Sequence, residues 1–421
     1  MTAADRLAGL VRAAAGVELP VRVRAWDGSE AGPADGPVVV IRNRRALRRL
    51  LWAPGEMGLA RAYVTGDIDV EGALADGFRR AWAMAGQHPP VPTGWRGKAA
   101  AVLAAARLGA IGPPPKRPAS EARLTGRLHT RRRDRAAIAH HYDLSNDFYQ
   151  LLLDEHMAYS SAYYGGLEGG RDGSLEGDPE IDRAMSLHEA QTAKLELVCR
   201  KLKLEPGQRL LDVGCGWGSM ILYAARNHGV HATGITLSAE QRDFIQARIV
   251  EQGLTGRVEV RLQHYREFDT APASFDAVSS IEMGEHVGEE HYPVYVATML
   301  RALKPGGRLL LQQMSRRADA APGGGPFIES YIAPDMHMRP LWQTVRFLED
   351  GGFELRHVEA MREHYVRTVD QWIETFEQRY PRFVALQGEE VARVWRLYLV
   401  GGGLAFEQGR MGVDQLLARK P

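Results

Sequence analysis

The sequence has only two cysteines, no long apolar run and almost no net charge. Cys199 and Cys215 cannot form the disulfide framework that stabilises a small secreted protein, which favours a reducing cytoplasm. No stretch of about 18 consecutive apolar residues occurs, so the sequence predicts no membrane-spanning helix. Lysine and arginine total 53 against 52 acidic residues, and this balance predicts no nucleic-acid partner. We therefore expect any contact with a membrane to be peripheral.

Proline and arginine mark a division of the chain into domains. At 421 residues it is long enough for two domains with sizeable cores. Residues 1–112 predict a small α+β domain, since strand-like alternation is followed there by a helical pattern. Residues 113–135 begin with three prolines and are rich in arginine. They predict a linker that is either merely solvated or a patch for anionic lipid headgroups. Residues 136–421 form the second domain.

The second domain shows strands that alternate with helices. The predicted strands are Arg209–Val213, Val230–Ile235, Val258–Leu262, Ala277–Glu282 and Arg308–Gln313. This alternation is typical of a doubly wound α/β fold of the Rossmann-like kind, in which ligands bind at the carboxyl ends of the strands.

A glycine-rich turn follows the first of these strands, in the stretch RLLDVGCGWGSM. Gly214, Gly216 and Gly218 suit a tight turn, because glycine accepts positive φ and lets a ligand approach backbone N–H groups. Asp212, at the end of the strand, can accept hydrogen bonds from a bound group. The bulky Trp217 argues against a cradle for pyrophosphate, so the spacing favours S-adenosylmethionine (SAM). A dinucleotide site or a purely structural turn is the alternative.

Four motifs in order resemble those of the cyclopropane fatty acid synthase family. They are AHHYDLSNDFYQLLLDEHMAYSSAYY (Ala139–Tyr164), LLDVGCGWG, GITLSAEQ (Gly234–Gln241) and EMGEHVG (Glu282–Gly288). The resemblance runs from about Ala136 to near the C-terminus, and the first domain is similar to the lipid-associated extension of the phospholipid-acting members. Members of this family are SAM-dependent methyltransferases of unsaturated acyl chains. The resemblance therefore implies SAM as methyl donor and an unsaturated lipid as substrate.

The resemblance also implies a set of cofactor-binding residues. In the family a Tyr-Ser pair closes over the methionine end, polar residues after the second strand hold the ribose and methionyl parts, and an aromatic residue flanks the adenine. The matching residues, together with those of the turn itself, are Tyr159, Ser160, Asp212, Gly214, Gly216, Gly218, Thr236, Leu237, Gln241 and Tyr265. Taken alone, Thr236 and Ser238 would be interpreted as the N-cap of a helix.

Relatives that form cyclopropanes hold a bicarbonate ion as base with Cys, Glu, His and Tyr side chains. Glu285 of EHVG and Tyr365 of EHYVRT match the glutamate and the tyrosine. Ser161 stands where the relatives have cysteine, and Gln312 stands where they have histidine, with Gln313 as the alternative for that position. A neutral amide neither supplies the charge of an imidazolium nor takes up a proton near pH 7. The sequence therefore disfavours bicarbonate-assisted ring closure.

These differences leave two products open for methylation of an alkene. We expect a methylene-branched (10-methylene) acyl chain, with Glu285 or Tyr365 as the base, and a cyclopropane made at a modified site is the alternative. A SAM methyltransferase of a soluble small molecule is a further alternative. No metal is expected, since the adjacent His140 and His141 do not converge on one ion and no third ligand is evident.

The expected partners follow from this interpretation. They are unsaturated phospholipid acyl chains, reached by peripheral association from the cytoplasm with the inner face of the cell membrane. No nucleic acid is expected. A partner reductase that completes a methyl branch and a homo-oligomer, most simply a dimer, are further expectations.

Overall fold

The structure is a computed structural model that describes residues 1–15, 18–87, 103, 106–122, 144–165 and 181–421. Of the predicted basic linker, Lys116 and Arg117 are described, whereas its part after residue 122 lies outside the described residues. His140 and His141 also lie outside them. Among the described helices, none combines the length and the apolar character needed to cross a membrane.

Helices and short strands alternate in the first 87 residues. In chain order they are α1 (Ala3–Ala15), β1 (Arg22–Arg24), β2 (Glu30–Ala31), β3 (Val38–Ile41), α2 (Arg45–Trp52), α3 (Glu56–Val64), β4 (Ile68–Glu71) and α4 (Leu74–Gln87). The strands form a sheet of order β2-β1-β3-β4, in which β1 and β3 are parallel and β1–β2 and β3–β4 are antiparallel. Leu7, Val23 and Ile41 belong to the apolar cluster that joins α1 to this sheet. The arrangement is α+β.

The later part of the chain supplies the larger sheet and its helices. In chain order the elements are α5 (Asn146–Leu152), α6 (Leu187–Leu202), β5 (Arg209–Val213), α7 (Ser219–His228), β6 (His231–Thr236), α8 (Ala239–Glu251), β7 (Val258–Leu262), β8 (Phe275–Ile281), α9 (Tyr292–Ala302), β9 (Leu303–Arg316), α10 (Pro326–Tyr331), α11 (Leu341–Asp350), β10 (Glu354–Ala360), α12 (Arg362–Gln378), α13 (Tyr380–Gln387), α14 (Glu389–Glu407) and β11 (Met411–Arg419). Short 3-10 turns occur at Tyr265–Glu267, Gly284–His286 and Glu289–His291.

The seven strands β5 to β11 form one sheet of order β10-β11-β9-β8-β5-β6-β7. Strands β5 to β9 run parallel to one another, and β11 is antiparallel to both β9 and β10. Apolar clusters cover both faces, one with Ile221 and Ile245 from α7 and α8, the other with Val296 and Leu348 from α9 and α11. The predicted doubly wound α/β fold is confirmed. Strand β9, however, begins at Leu303 rather than at the predicted Arg308.

The chain folds into two compact units. Unit 1 comprises Met1–Glu121 together with Tyr380–Leu404, and unit 2 comprises Ala122–Arg379 together with Ala405–Pro421. Helix α13 and most of α14 thus belong to unit 1, whereas the sequence placed everything after residue 135 in the second domain. One physical reason is Arg393 on α14, whose buried guanidinium donates to the Tyr63 carbonyl and to the Asp69 carboxylate at 2.9 Å each. Hydrophobic periodicity does not reveal such a polar anchor.

Asp67, just before β4, is a buried carboxylate that accepts from Arg49 Nε and from Asn43 Nδ2 at 2.8 Å each. Asp67→Ala should lower the free energy of unfolding of unit 1 by about 3 kcal/mol, because Arg49 would lose its buried partner. Hydrogen exchange of β3 and β4 measures this loss. Asp76→Ala, which breaks an exposed pair with Arg79, is the control and should cost less than about 0.5 kcal/mol. Equal losses in both variants would contradict the prediction.

Candidate active site

The glycine-rich turn joins β5 to α7 and borders a cavity at the carboxyl edge of the larger sheet. Gly214, Gly216 and Gly218 have φ values of 81°, 52° and 86°, a region that side chains disfavour. A Cβ atom on Gly214 would lie 2.5 Å from the Met283 side chain, and one on Gly218 would lie 2.9 Å from Ile245. Gly216 instead faces open space. It is therefore the part of the turn that a ligand can approach most closely.

Residues that end or follow neighbouring strands line this cavity. The predicted cofactor-binding residues among them are Gly214, Gly216, Thr236, Leu237, Gln241 and Tyr265. The residues that were not predicted to bind the cofactor are Val213, Ile235, Gln263, His264, Glu282, Met283, His286, Pro334 and Asp335. Gln263 and Glu282 directly follow β7 and β8, so a position at the end of a predicted strand is the signal that could have identified them.

Gln241 presents an unused hydrogen-bond donor to the cavity. Its Oε1 accepts from Thr236 Oγ1 at 2.7 Å, and its backbone N–H donates to Ser238 Oγ, the N-cap of α8, at 3.2 Å. Its Nε2 is buried and has no hydrogen-bond partner among the described residues. Such a donor costs free energy unless a ligand accepts from it. Together with the open side of Gly216, this fits the acceptor-rich ribose and carboxylate of SAM.

Four predicted cofactor residues do not line this cavity, namely Tyr159, Ser160, Asp212 and Gly218. Asp212 Oδ1 accepts from Ser279 Oγ on β8 at 2.7 Å, and burial raises the pKa of Asp212 to about 6. The Tyr159 ring packs on Trp372 with centroids 5.4 Å apart. A role for these four residues toward the cofactor stays a prediction.

Lys194 of α6 is a fully buried lysine that the sequence analysis missed. Its Nζ donates to Ser160 Oγ at 3.0 Å. Burial lowers the pKa of Lys194 to about 8, although the negative charge of Glu282 opposes this shift. Lys194 lies on the same buried helix face as Ala190 and Leu197, at positions i, i+4 and i+7. A lysine on that apolar stripe is the signal that could have found it.

Residues from three distant parts of the sequence donate hydrogen bonds to the carboxylate of Glu282. Its Oε1 accepts from the Ser161 backbone N–H and from Gln312 Nε2 at 2.8 Å each, and its Oε2 accepts from the Tyr365 hydroxyl at 2.8 Å. Glu282 is half-buried and has a φ of 50°, which a non-glycine residue adopts at a cost of roughly 1 kcal/mol. Desolvation raises the pKa of Glu282, and the three donors oppose this shift.

Glu285, the predicted catalytic glutamate, is not the acid at the centre of this cluster. The 3-10 turn at Gly284–His286 directs its side chain to β9, where Oε1 accepts from the Met314 backbone N–H. Burial and the nearby charge of Glu282 raise the pKa of Glu285 to about 8. The structure thus brings three of the predicted catalytic residues, Ser161, Gln312 and Tyr365, together around Glu282, and their roles stay a prediction.

Gln312 and Gln313 lie on opposite faces of β9, because successive side chains of a strand alternate. Gln312 reaches Glu282, as described above. Gln313 Oε1 instead accepts from the Tyr292 hydroxyl at 2.6 Å, and its Nε2 donates to Thr344 Oγ1 at 3.4 Å. Of the two glutamines considered for the histidine position, the structure therefore places Gln312 in the cluster.

A group of three possible metal ligands lies outside the cavity, with one ligand atom of each within 4.8 Å of the others: Asp154, His156 and His188. The two Asp154 oxygens already accept from the backbone N–H groups of His156 and Ala158, at 3.0 and 3.1 Å. His156 Nε2 is hydrogen-bonded to Thr192 Oγ1 at 2.8 Å. His188 Nδ1 is hydrogen-bonded to Asp154 Oδ2 at 3.4 Å. All three groups thus already make hydrogen bonds, and the absence of a metal requirement stays a prediction.

Comparison with known sequences identifies the relatives of this chain. The family model for mycolic acid cyclopropane synthetase matches residues 129–416. A probable fatty acid methyltransferase of Mycobacterium tuberculosis is 36% identical over 422 residues, which cover 95% of this chain and 91% of that protein. A probable fatty acid methyltransferase of Pseudomonas putida is 33% identical, and the alignment covers 99% of this chain and 95% of that protein. The cyclopropane-fatty-acyl-phospholipid synthase of Escherichia coli is 35% identical over 260 residues, 62% of this chain and 61% of that protein.

Comparison with solved structures agrees with the sequence matches. The crystal structure of a mycolic acid cyclopropane synthase complexed with SAH and CTAB superposes with a TM-score of 0.60 at 31% identity, covering 68% of this chain and 98% of that chain. SAH, S-adenosylhomocysteine, is what SAM becomes once it has given up its methyl group. SAM is accordingly the methyl donor of this chain.

Gln241→Glu should weaken the binding of SAM about tenfold, because the variant loses the unused Nε2 donor but keeps an acceptor for Thr236. Calorimetric titration with SAM measures the dissociation constant. Gln246→Glu, on the exposed side of the same helix, adds the same charge and should leave the constant unchanged. If Gln241→Glu bound SAM as tightly as the unaltered protein, Gln241 would have no part in cofactor binding.

Proposed function

Because the chain belongs to the mycolic acid cyclopropane synthetase family and is a SAM-dependent methyltransferase, we propose that it methylates the double bond of an unsaturated acyl chain in membrane phospholipids. The product we propose is a methylene-branched (10-methylene) acyl chain. Support comes from the two relatives that align over nearly the whole chain, both named as probable fatty acid methyltransferases. The Escherichia coli relative, whose name specifies a fatty-acyl phospholipid, supports the substrate class.

Methylation of an alkene leaves a cation that must lose a proton. SAM supplies an electrophilic methyl group: the π electrons form the new carbon–carbon bond, and sulfur keeps the electrons of the broken S–CH3 bond. Positive charge then remains on the second alkene carbon. A hydride shift from the methylated carbon moves the charge onto that carbon, and loss of a proton from the new methyl group gives the methylene branch. Loss of the same proton without the hydride shift closes a cyclopropane.

The carboxylate of Glu282 at the cavity wall is the observation that carries this proposal. Its negative charge stabilises a nearby cation strongly, because the site is partly shielded from water. Its raised pKa makes it a better proton acceptor near neutral pH than an exposed glutamate. The Tyr365 hydroxyl, bonded to Glu282 Oε2, can pass its proton to Glu282 while it takes one from the acyl chain.

The side chains of Ser161 and Gln312 support the methylene product over the cyclopropane. Ser161 Oγ donates to the Ala162 carbonyl at 3.1 Å, and Gln312 Nε2 donates to Glu282 Oε1 and to the Ser161 carbonyl at 2.8 and 3.4 Å. Neither side chain takes up a proton near neutral pH. The set that holds bicarbonate in ring-forming relatives is thus incomplete here, whereas Glu282 supplies a base from the protein. A cyclopropane formed at this modified site is the alternative product.

The proposed lipid substrate also implies a location for the protein in the cell. We place it at the inner face of the cell membrane as a peripheral protein. Lys116 and Arg117 are the described part of the basic segment that would contact anionic headgroups. A reductase that saturates the methylene branch and assembly as a homodimer complete the proposal.

Glu282→Gln should lower kcat at least about 100-fold, because an amide can neither accept the proton nor carry the charge. In the unaltered protein, kcat should fall as the pH drops through the pKa of Glu282, which lies above its ordinary value of 4.5. Transfer of labelled methyl from SAM to vesicles of unsaturated phospholipid measures both. Glu285→Gln should cost far less, since the pKa of Glu285 is raised to about 8 and its carboxyl is already mostly neutral at pH 7. The reverse order of the two variants would assign the proton transfer to Glu285.

The acyl product should be a methylene branch, heavier than the substrate by one CH2 group. Ozonolysis followed by mass spectrometry identifies it, because ozone cleaves the methylene group to a ketone and leaves a cyclopropane intact. Vesicles incubated with the Glu282→Gln variant provide the control. An ozone-resistant product would establish the cyclopropane instead. Label that never enters the acyl chain would reject a lipid substrate altogether.

A further inference from the structure

A row of hydrogen-bonded polar side chains crosses the larger sheet; its members, in order, are Lys201, Gln415, Gln312 and Glu282. On β11, Gln415 pairs with Gln312 of β9 on one side and with Glu359 of β10 on the other. Gln415 and Gln312 are each 0% exposed. Lys201, from the last turn of α6, donates to Gln415 Oε1 at 2.7 Å and forms an ion pair with Glu359. Buried amides must satisfy both their donors and their acceptors, and this row does so.

The chemistry of lysine fixes the direction of every hydrogen bond in the row. An ammonium group only donates, so the end of the Gln415 amide that faces Lys201 must be its oxygen. Gln415 Nε2 then donates to Gln312 Oε1 at 2.9 Å. This leaves Gln312 Nε2 to donate to Glu282 Oε1 at 2.8 Å. Every hydrogen bond in the row therefore has its donor on the Lys201 side and its acceptor on the Glu282 side.

We propose that Lys201 and Gln415 are positioning residues that hold Gln312 as a hydrogen-bond donor to Glu282 and so keep that carboxylate ionised and ready to accept a proton. The inference rests on the proposed function, in which Glu282 is the proton acceptor. Without the row, the Gln312 amide can turn over, and its oxygen would then face and repel the carboxylate. Lys201 and Gln415 do not line the cavity, so they act through Gln312.

Other charged and titratable groups face the two ends of the row. They are Lys194, Glu285 and Tyr365 at the Glu282 end, and Glu359, His357 and His364 at the Lys201 end. Substitutions at position 415 leave all of them in place. A change in the titration of Glu282 in a variant that adds no charge at position 415 therefore reports the direction of the hydrogen bonds in the row.

Gln415→Glu reverses the direction of the hydrogen bond between positions 415 and 312, while the new side chain has nearly the same shape as glutamine. A carboxylate at position 415 only accepts, so it takes a hydrogen bond from Gln312 Nε2 and turns the Gln312 oxygen toward Glu282. We expect the pKa of Glu282 to rise by about one to two units. Infrared titration of the protonated carboxyl follows this pKa in the full-length protein, and Glu282→Gln identifies the band by its loss. The acid limb of kcat should shift equally, with KM for SAM changed less than about twofold.

Three further variants separate polarity from charge and from folding. Gln415→Met breaks the row without adding charge and should raise the same pKa by a smaller amount. Lys201→Arg still only donates and should keep the original titration. Gln408→Glu adds the same charge at an exposed position of unit 2 and should also keep it.

An unchanged Glu282 titration in Gln415→Met would overturn the inference, because a shift in Gln415→Glu alone is then explained by the added charge. So would a lower kcat whose pH dependence does not move, because that pattern indicates a merely structural role. A shifted titration in a protein that never methylates acyl chains would reject the proposed function but leave the row in place.

Discussion

The site depends on one constraint, a carboxylate held partly out of water at the wall of the cavity beside the glycine-rich turn. Such a charge is stable only when fixed donors surround it. Glu282 finds them in the loop after α5, in β9 and in α12, through Ser161, Gln312 and Tyr365. These elements must keep their relative positions, or the carboxylate loses its partners. The position of Glu282 at the end of β8 therefore depends on the packing of these elements against the sheet.

Glu282 also connects the two steps of the proposed reaction, methyl transfer and proton removal. Glu282 lines the cavity whose other walls include the glycine turn and Gln241, so in the proposed reaction the methyl donor and the proton acceptor would lie side by side. Glu285, only three positions later, is shielded from that cavity and held by the backbone of β9. Two neighbouring acids thus have different surroundings, because one accepts three hydrogen bonds from the site, whereas burial and the nearby charge of Glu282 raise the pKa of the other to about 8.

Much of this could be read from the sequence, and the rest has identifiable physical reasons for being missed. Strand periodicity and glycine spacing predicted β5, β7 and the turn, since both depend on local patterns. The structure has Glu282 rather than the predicted Glu285 at the centre of the cluster; the φ of Glu282 lies in the left-handed region, and no local sequence pattern shows that. Likewise, the pairing of Gln312 with Gln415 depends on the register of two strands about a hundred residues apart. Lys194 was overlooked because a lysine is seldom buried.

The most direct measurement is a crystal structure of the protein with SAH and a monounsaturated acyl amphiphile. If Glu282 is the proton acceptor, the alkene carbons should lie between the SAH sulfur and the Glu282–Tyr365 pair. The carbon that carries the new methyl group should then be within about 3.5 Å of the position of the transferable methyl. An alkene bound beside Glu285, or a Glu282 carboxylate turned away to bind the amino group of SAH, would contradict this arrangement.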